Sequence, residues 1–149
     1  MKDQVFGNLM DWGNTLDTLN LLKDSATLDD HQEELIRLLR YDANWRLREA
    51  AVEAAATLQT PCIETVKQIV QLIKRDDLYY NVRIMASEAL SKLVPVIMTN
   101  QADNKDLVHL IINEANHDVS ALLSAPEPPI FHDALNITYE QIQKVVATA

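Results

Sequence analysis

Apolar positions recur at helical spacing along nearly the whole chain, and no stretch alternates as a half-buried strand would. Val5, Leu9, Trp12, Leu16 and Leu19 step by 4, 3, 4 and 3, which lays one stripe along a helix. Gly7 and Gly13 fall inside that stretch, so it predicts a kinked helix or two shorter ones. Asp29 or Asp30 can cap a second helix, which carries Leu35, Ile36, Leu38 and Leu39. A helix over about 45–58 follows, then one over about 61–74 with Thr60 as its cap and Pro61 as its first residue. The next covers about 80–93, its end disturbed by Pro95. Asp103 can cap a helix through Leu107, Leu110 and Ile111, which Asn116-His117-Asp118 interrupts. Glu127-Pro128-Pro129 reads as extended, and Thr138 caps a short last helix from Tyr139 to about Val146.

Two of these helices are copies. The stretch from Trp45 to Leu58 aligns without gaps on that from Tyr80 to Leu93, a period of 35. Arg48/Arg83, Ala51/Ala86, Glu53/Glu88, Ala54/Ala89 and Leu58/Leu93 are identical pairs. The preceding helices match too, Leu35 to Arg40 against Ile69 to Lys74, and Leu107 to Ile112 repeats that pattern a third time. No full second helix is evident after it. There Val119 keeps an apolar position, but Ser120 stands where the arginine should be. A helix-turn-helix unit of this size cannot bury its apolar face alone, so neighbouring units stack. Leu47, Ala51, Ala54 and Leu58 form one buried stripe and Val82, Ala86, Ala89 and Leu93 the other, with alanines that let the paired helix come close.

The order Leu38-Leu39, Asp42, Leu47-Arg48, Ala51, Ala54, and again Leu72-Ile73, Asp76 or Asp77, Val82-Arg83, Ala86, Ala89, resembles a HEAT or HEAT-like repeat. The resemblance implies an all-α fold, a short right-handed α-α superhelix with helical caps. Its divisions are an N-terminal cap (1–30), repeat 1 (31–59), repeat 2 (60–99), a degenerate third unit (100–124) and a proline-containing extended segment with a C-terminal helix (125–149). It also implies that Asp42, Arg48, Asp76 (or Asp77) and Arg83 form a structural ladder between units. In such a stack the second helices line the concave face. The tentative partner-binding residues are then Arg46, Glu49 and Glu53 in one unit and Asn81, Met85 and Glu88 in the next. Trp45 and Tyr79-Tyr80 hold matching turn positions; for Trp45 and Tyr80 packing into the turn between units is the expectation, partner anchoring the alternative. The 125–137 segment, with Ile130 and Phe131, either folds back over the stack or docks on another chain.

Composition narrows the function. The chain has 149 residues, 48% hydrophobic, with 2 Gly and 5 Pro, enough apolar material for one helical core and few turn residues for a β fold. Its 13 basic and 22 acidic residues give a net charge of −9, against the balance of a nucleic-acid binder. Residues 1–34 carry 2 basic and 8 acidic groups, residues 93–149 carry 2 and 7, and residues 35–92 carry 9 and 7. Acidic ends therefore flank an arginine-bearing middle, which serves solubility or, as the alternative, attracts a basic partner. Met1-Lys2-Asp3-Gln4 begins no signal peptide and no apolar run suits a membrane span, so a cytoplasmic protein is expected.

Catalytic patterns are missing. Cys62 is the one cysteine and is expected in the first turn of its helix as a small buried residue, which leaves no thiolate zinc set. His31, His109, His117 and His132 form no HExxH; His117-Asp118 and His132-Asp133 are expected as exposed polar positions. No metal or other cofactor is expected. The resulting expectation is a non-catalytic adaptor or scaffold that binds another protein, with self-association open. A basic toxin that it masks is one such partner. The rival class is an enzyme subunit of the bilin-lyase-like or another small-ligand-binding HEAT-like type.

Overall fold

The computed structural model describes residues 5–100 and 104–148, and every regular element among them is helical. In chain order these are α1 (Trp12–Asp24), a 3₁₀ turn (Leu28–His31), α2 (Gln32–Leu39), α3 (Trp45–Ala55), α4 (Ile63–Lys74), α5 (Tyr80–Thr99), α6 (Lys105–Leu123) and α7 (Pro129–Thr148). Helices α2, α4 and α6 lie side by side in one layer, while α1, α3, α5 and α7 form the other. The pairs α2–α3, α4–α5 and α6–α7 are thus three stacked helix hairpins, an α-α solenoid, and α1 covers the open flank of α3.

Between the layers lies a continuous core of Leu35, Leu38, Leu39, Leu47, Ile69, Leu72, Ile73, Leu90 and Leu93, all fully or nearly fully buried. The alanine stripes face inward as the repeat implies: Ala51, Ala54, Ala86 and Ala89 are buried. No helix among the described residues is long and apolar enough to cross a membrane.

Several elements depart from expectation. The stripe from Val5 to Leu19 is not one helix: Gly7 has a φ of +58°, a conformation that favours glycine, and the helix begins only at Trp12, itself half exposed. The preceding segment is held over α2 by Glu34. This buried carboxylate accepts the Phe6 N–H at 3.2 Å and pairs with Arg37, which also donates to the Gly7 carbonyl at 2.8 Å. Asp29 caps no helix of its own; its carboxylate accepts the Gln59 and Thr60 N–H groups at 2.9 and 2.6 Å, in the turn between α3 and α4.

Helix α3 ends at Ala55 rather than Leu58, and α4 starts at Ile63, so Cys62 is its exposed N-cap and not a buried residue of the first turn. Pro95 sits inside α5, which runs on to Thr99. Asn116-His117-Asp118 does not interrupt α6, because Val108, Ile111, Ile112, Ala115 and Val119 keep a buried stripe going past it. The cap expected at Asp103 lies outside the described residues, as do Met1 to Gln4.

The largest correction concerns the C-terminal third. The stretch expected to be extended is helix α7, beginning at Pro129, where a missing N–H costs nothing. Phe131, Ala134, Leu135, Thr138, Ile142 and Val145 form its buried stripe. Thr138 lies mid-helix, not at a cap. The third unit is therefore a complete hairpin whose second helix is α7, and the 125–137 segment is folded onto α5.

Candidate interaction surface

The turns from first to second helix in the first two units are tied by arginines. Asn44 caps α3, its side-chain oxygen accepting the Leu47 N–H at 3.1 Å. Arg48, buried behind it, donates to the Tyr41 carbonyl at 2.9 Å and pairs with Asp42. Burial draws its guanidinium below the ordinary arginine value, and the charge of Asp42 opposes that shift. Asp42 also accepts from Arg75 of the next unit at 3.1 Å, and Arg75 pairs with Asp77 at 2.7 Å. Hydrogen bonds from Arg75 hold the Asp77 carboxyl below its ordinary value.

The second copy is built differently. Arg83 donates to the Ile73 carbonyl at 2.9 Å rather than to an aspartate. Its guanidinium lies 5.2 Å from the Tyr80 ring centroid and 4.6 Å from that of Phe131. Asp76 is exposed and makes no side-chain hydrogen bond or ion pair among the described residues; Asp77 takes that part with Arg75.

With the buried stripes turned inward, the outer face of the second-helix layer carries three stripes of its own. On α3 these are Arg46, Glu49 and Glu53; on α5 they are Asn81, Met85, Glu88 and Lys92, spaced 4, 3 and 4. Arg46, Glu53, Asn81 and Glu88 are exposed, while Glu49 and Met85 are half-buried. The structure thus brings all six sequence-derived candidates to one face. It adds Asp133, Ile137 and Lys144 of α7, which sequence reasoning missed, and Ile130, which was placed in a segment that folds back or docks on another chain; Ile130 and Ile137 are 66% and 56% exposed. Their seven-residue spacing outside the Phe131–Thr138 stripe was the available signal, hidden by the expectation of an extended segment. Among the described residues, the carboxylates of Glu49, Glu53, Glu88 and Asp133 have no ion-pair or hydrogen-bond partner.

Of the aromatic residues at the starts of α3 and α5, Tyr80 packs against Phe131 with centroids 5.4 Å apart, while Trp45 and Tyr79 stay open to solvent. Trp45, Tyr79 and Tyr80 are 52%, 77% and 38% exposed, in the turns within units rather than between them. The Tyr80 hydroxyl donates to Glu127 at 2.7 Å, which keeps the phenol protonated above its ordinary range.

The first-helix layer offers a groove of about 630 Å³ between α4 and α6. Its walls are charged and largely satisfied: Lys74 pairs with Asp118 at 3.5 Å, and Arg40 donates to Gln68 at 2.7 Å. His132 is not an exposed position; its ring Nε2 lies 2.9 Å from the Ala125 carbonyl and 3.2 Å from that of Leu122, pinning the α6–α7 turn. Among the described residues no group of three or more His, Cys, Asp or Glu is arranged to hold a metal ion.

No curated protein matches the chain, and no solved structure does. A family model does: the one described as HEAT repeats matches residues 32–125, from the start of α2 to the turn before α7. With that match spanning most of the three stacked hairpins, the chain belongs to the HEAT-repeat family.

Proposed function

We propose that this chain is a non-catalytic interaction module, an adaptor or scaffold, whose second-helix face binds a basic protein and masks it. The observation that carries the reading is the outer face of α3, α5 and α7, where Glu49, Glu53, Glu88 and Asp133, whose carboxylates have no partner among the described residues, outnumber Arg46, Lys92 and Lys144 and lie among Met85, Ile130 and Ile137. Exposed apolar side chains supply contact area, and carboxylates among them select a positive partner and speed its approach. A net charge of −9 adds long-range attraction of the same sign. A basic toxin fits this chemistry, as does a basic subunit of a larger complex. The stack suits such a role, since three hairpins packed on one core present the face already folded.

Co-purification from the source lysate at low and then high salt, with mass spectrometry, tests the reading. One basic protein retained at near-equal amount and lost at high salt is the expected result. A companion without a basic surface, or retention indifferent to salt, overturns it.

A further inference from the structure

Arg83 shows how this protein accommodates a guanidinium: against two aromatic rings, Tyr80 and Phe131, which themselves lie 5.4 Å apart, and 2% exposed. One unit earlier, at the α3–α5 junction, Trp45 and Tyr79 form the walls of an open cleft of about 270 Å³, completed by Glu49 and Asn81. The same two rings line an adjoining cleft of about 370 Å³. Its carboxylates, Asp42 and Asp77, are already engaged by Arg48 and Arg75. Glu49 is not engaged by any group among the described residues. The Trp45 indole already attracts one guanidinium, that of Arg46 at 5.2 Å.

Building on the basic-partner reading, we infer that the cleft between Trp45 and Tyr79 receives an arginine side chain projecting from that partner. The rings offer their negative faces to a flat cation, Glu49 neutralises it, and the Asn81 carboxamide oxygen can accept one of its N–H groups. The occupant is arginine rather than lysine because a planar guanidinium stacks on rings, whereas an ammonium keeps its water. It is a cation rather than an apolar side chain because the charge lining the cleft, that of Glu49, is negative and has no partner among the described residues.

The test uses the full chain carrying Trp12→Phe, which leaves Trp45 as the sole tryptophan of the 2 in the sequence. Its emission is followed during titration with N-acetyl-arginine methylamide, and with the citrulline analogue, which has the same shape without the charge. A saturable change with arginine and a response about fivefold weaker with citrulline are expected. Glu49→Gln should weaken arginine binding about threefold, as for an exposed charge pair. Tyr79→Ala should remove most of it and Tyr79→Phe should keep it, with circular dichroism unchanged in all three. Equal responses to arginine and citrulline overturn the proposal, as does a lysine derivative that binds as tightly. So does arginine binding indifferent to both Glu49→Gln and Tyr79→Ala. These outcomes remove the cleft assignment alone if salt-sensitive retention of a basic protein persists. Loss of that retention removes the reading beneath it.

Discussion

The side-chain oxygens of Ser87 and Thr138 lie 2.7 Å apart, both fully buried, in the seam between α5 and α7. Thr138 Oγ1 is also 2.7 Å from the Ser87 carbonyl, and Ser87 Oγ is 3.2 Å from the carbonyl of Ala134. Two hydroxyls and two carbonyls thus satisfy one another where the last helix meets the stack. Thr138→Val leaves the Ser87 hydroxyl one partner short at unchanged volume, with an expected cost of about 1–2 kcal/mol in urea denaturation. The Ser87→Ala/Thr138→Val double variant should lose less than the sum of the single losses. A neutral Thr138→Val would mean that α7 is not seated on this seam.

Units are joined at their other end by Gln32. Its Oε1 accepts the Cys62 N–H and the Thr65 hydroxyl, each at 2.8 Å, while its Nε2 donates to the Thr60 carbonyl at 2.9 Å. A side chain of α2 therefore caps α4, whose own N-cap, Cys62, provides no side-chain acceptor. Gln32→Ala should cost about 1 kcal/mol and speed amide exchange at Val66 and its neighbours in the first turn of α4. Unchanged exchange there would show that the clamp carries no stability.

Asp77 gives the stack an acid-sensitive tie. Its folded-state pKa is depressed, first by the hydrogen bonds from Arg75. The contribution is therefore present above the ordinary aspartate pKa of about 3.9 and is lost as pH falls through the lower folded value. Wild type should melt above Asp77→Asn at neutral pH, and the two curves should converge as pH falls below the ordinary aspartate range. Parallel curves would contradict the tie.

Tyr80 shifts the opposite way. Its phenol donates to Glu127, so the folded state holds the proton more firmly and this tie fades as pH rises above the ordinary tyrosine range. In an ultraviolet absorbance titration one of the 4 tyrosines should ionise later than the rest, and Glu127→Gln should bring it earlier. Coincident titration of all four would remove this contact.

The fold was legible where the sequence repeats itself. Arg48/Arg83 and the paired alanine stripes mark two hairpins, because a buried stripe keeps its spacing whatever surrounds it. Helix α7 was hidden for a physical reason: its stripe includes Thr138, whose partner Ser87 lies 51 residues away, so the threonine looked like a cap. The Gln32 clamp is equally non-local, spanning 30 residues to Cys62. On the candidate face, Glu53 and Glu88 were readable as outward positions of the repeat. The exposure of Trp45 and Tyr79 was not, since an aromatic at a turn carries no mark of which side it takes. Arg83 matched Arg48 in position but not in partner, because its rings come from the start of its own helix and from α7.

The central claim, that the second-helix face holds a basic partner, is tested most directly by charge reversal on each layer. Retention of the co-purifying protein would be compared at low salt for wild type, Glu53→Lys/Glu88→Lys, and Glu33→Lys/Glu114→Lys on the first-helix layer. All four glutamates are exposed and each pair changes the net charge equally. Retention should fall about tenfold or more for the second-helix pair and stay near wild type for the other. Equal losses in both variants, or none in either, would contradict the claim.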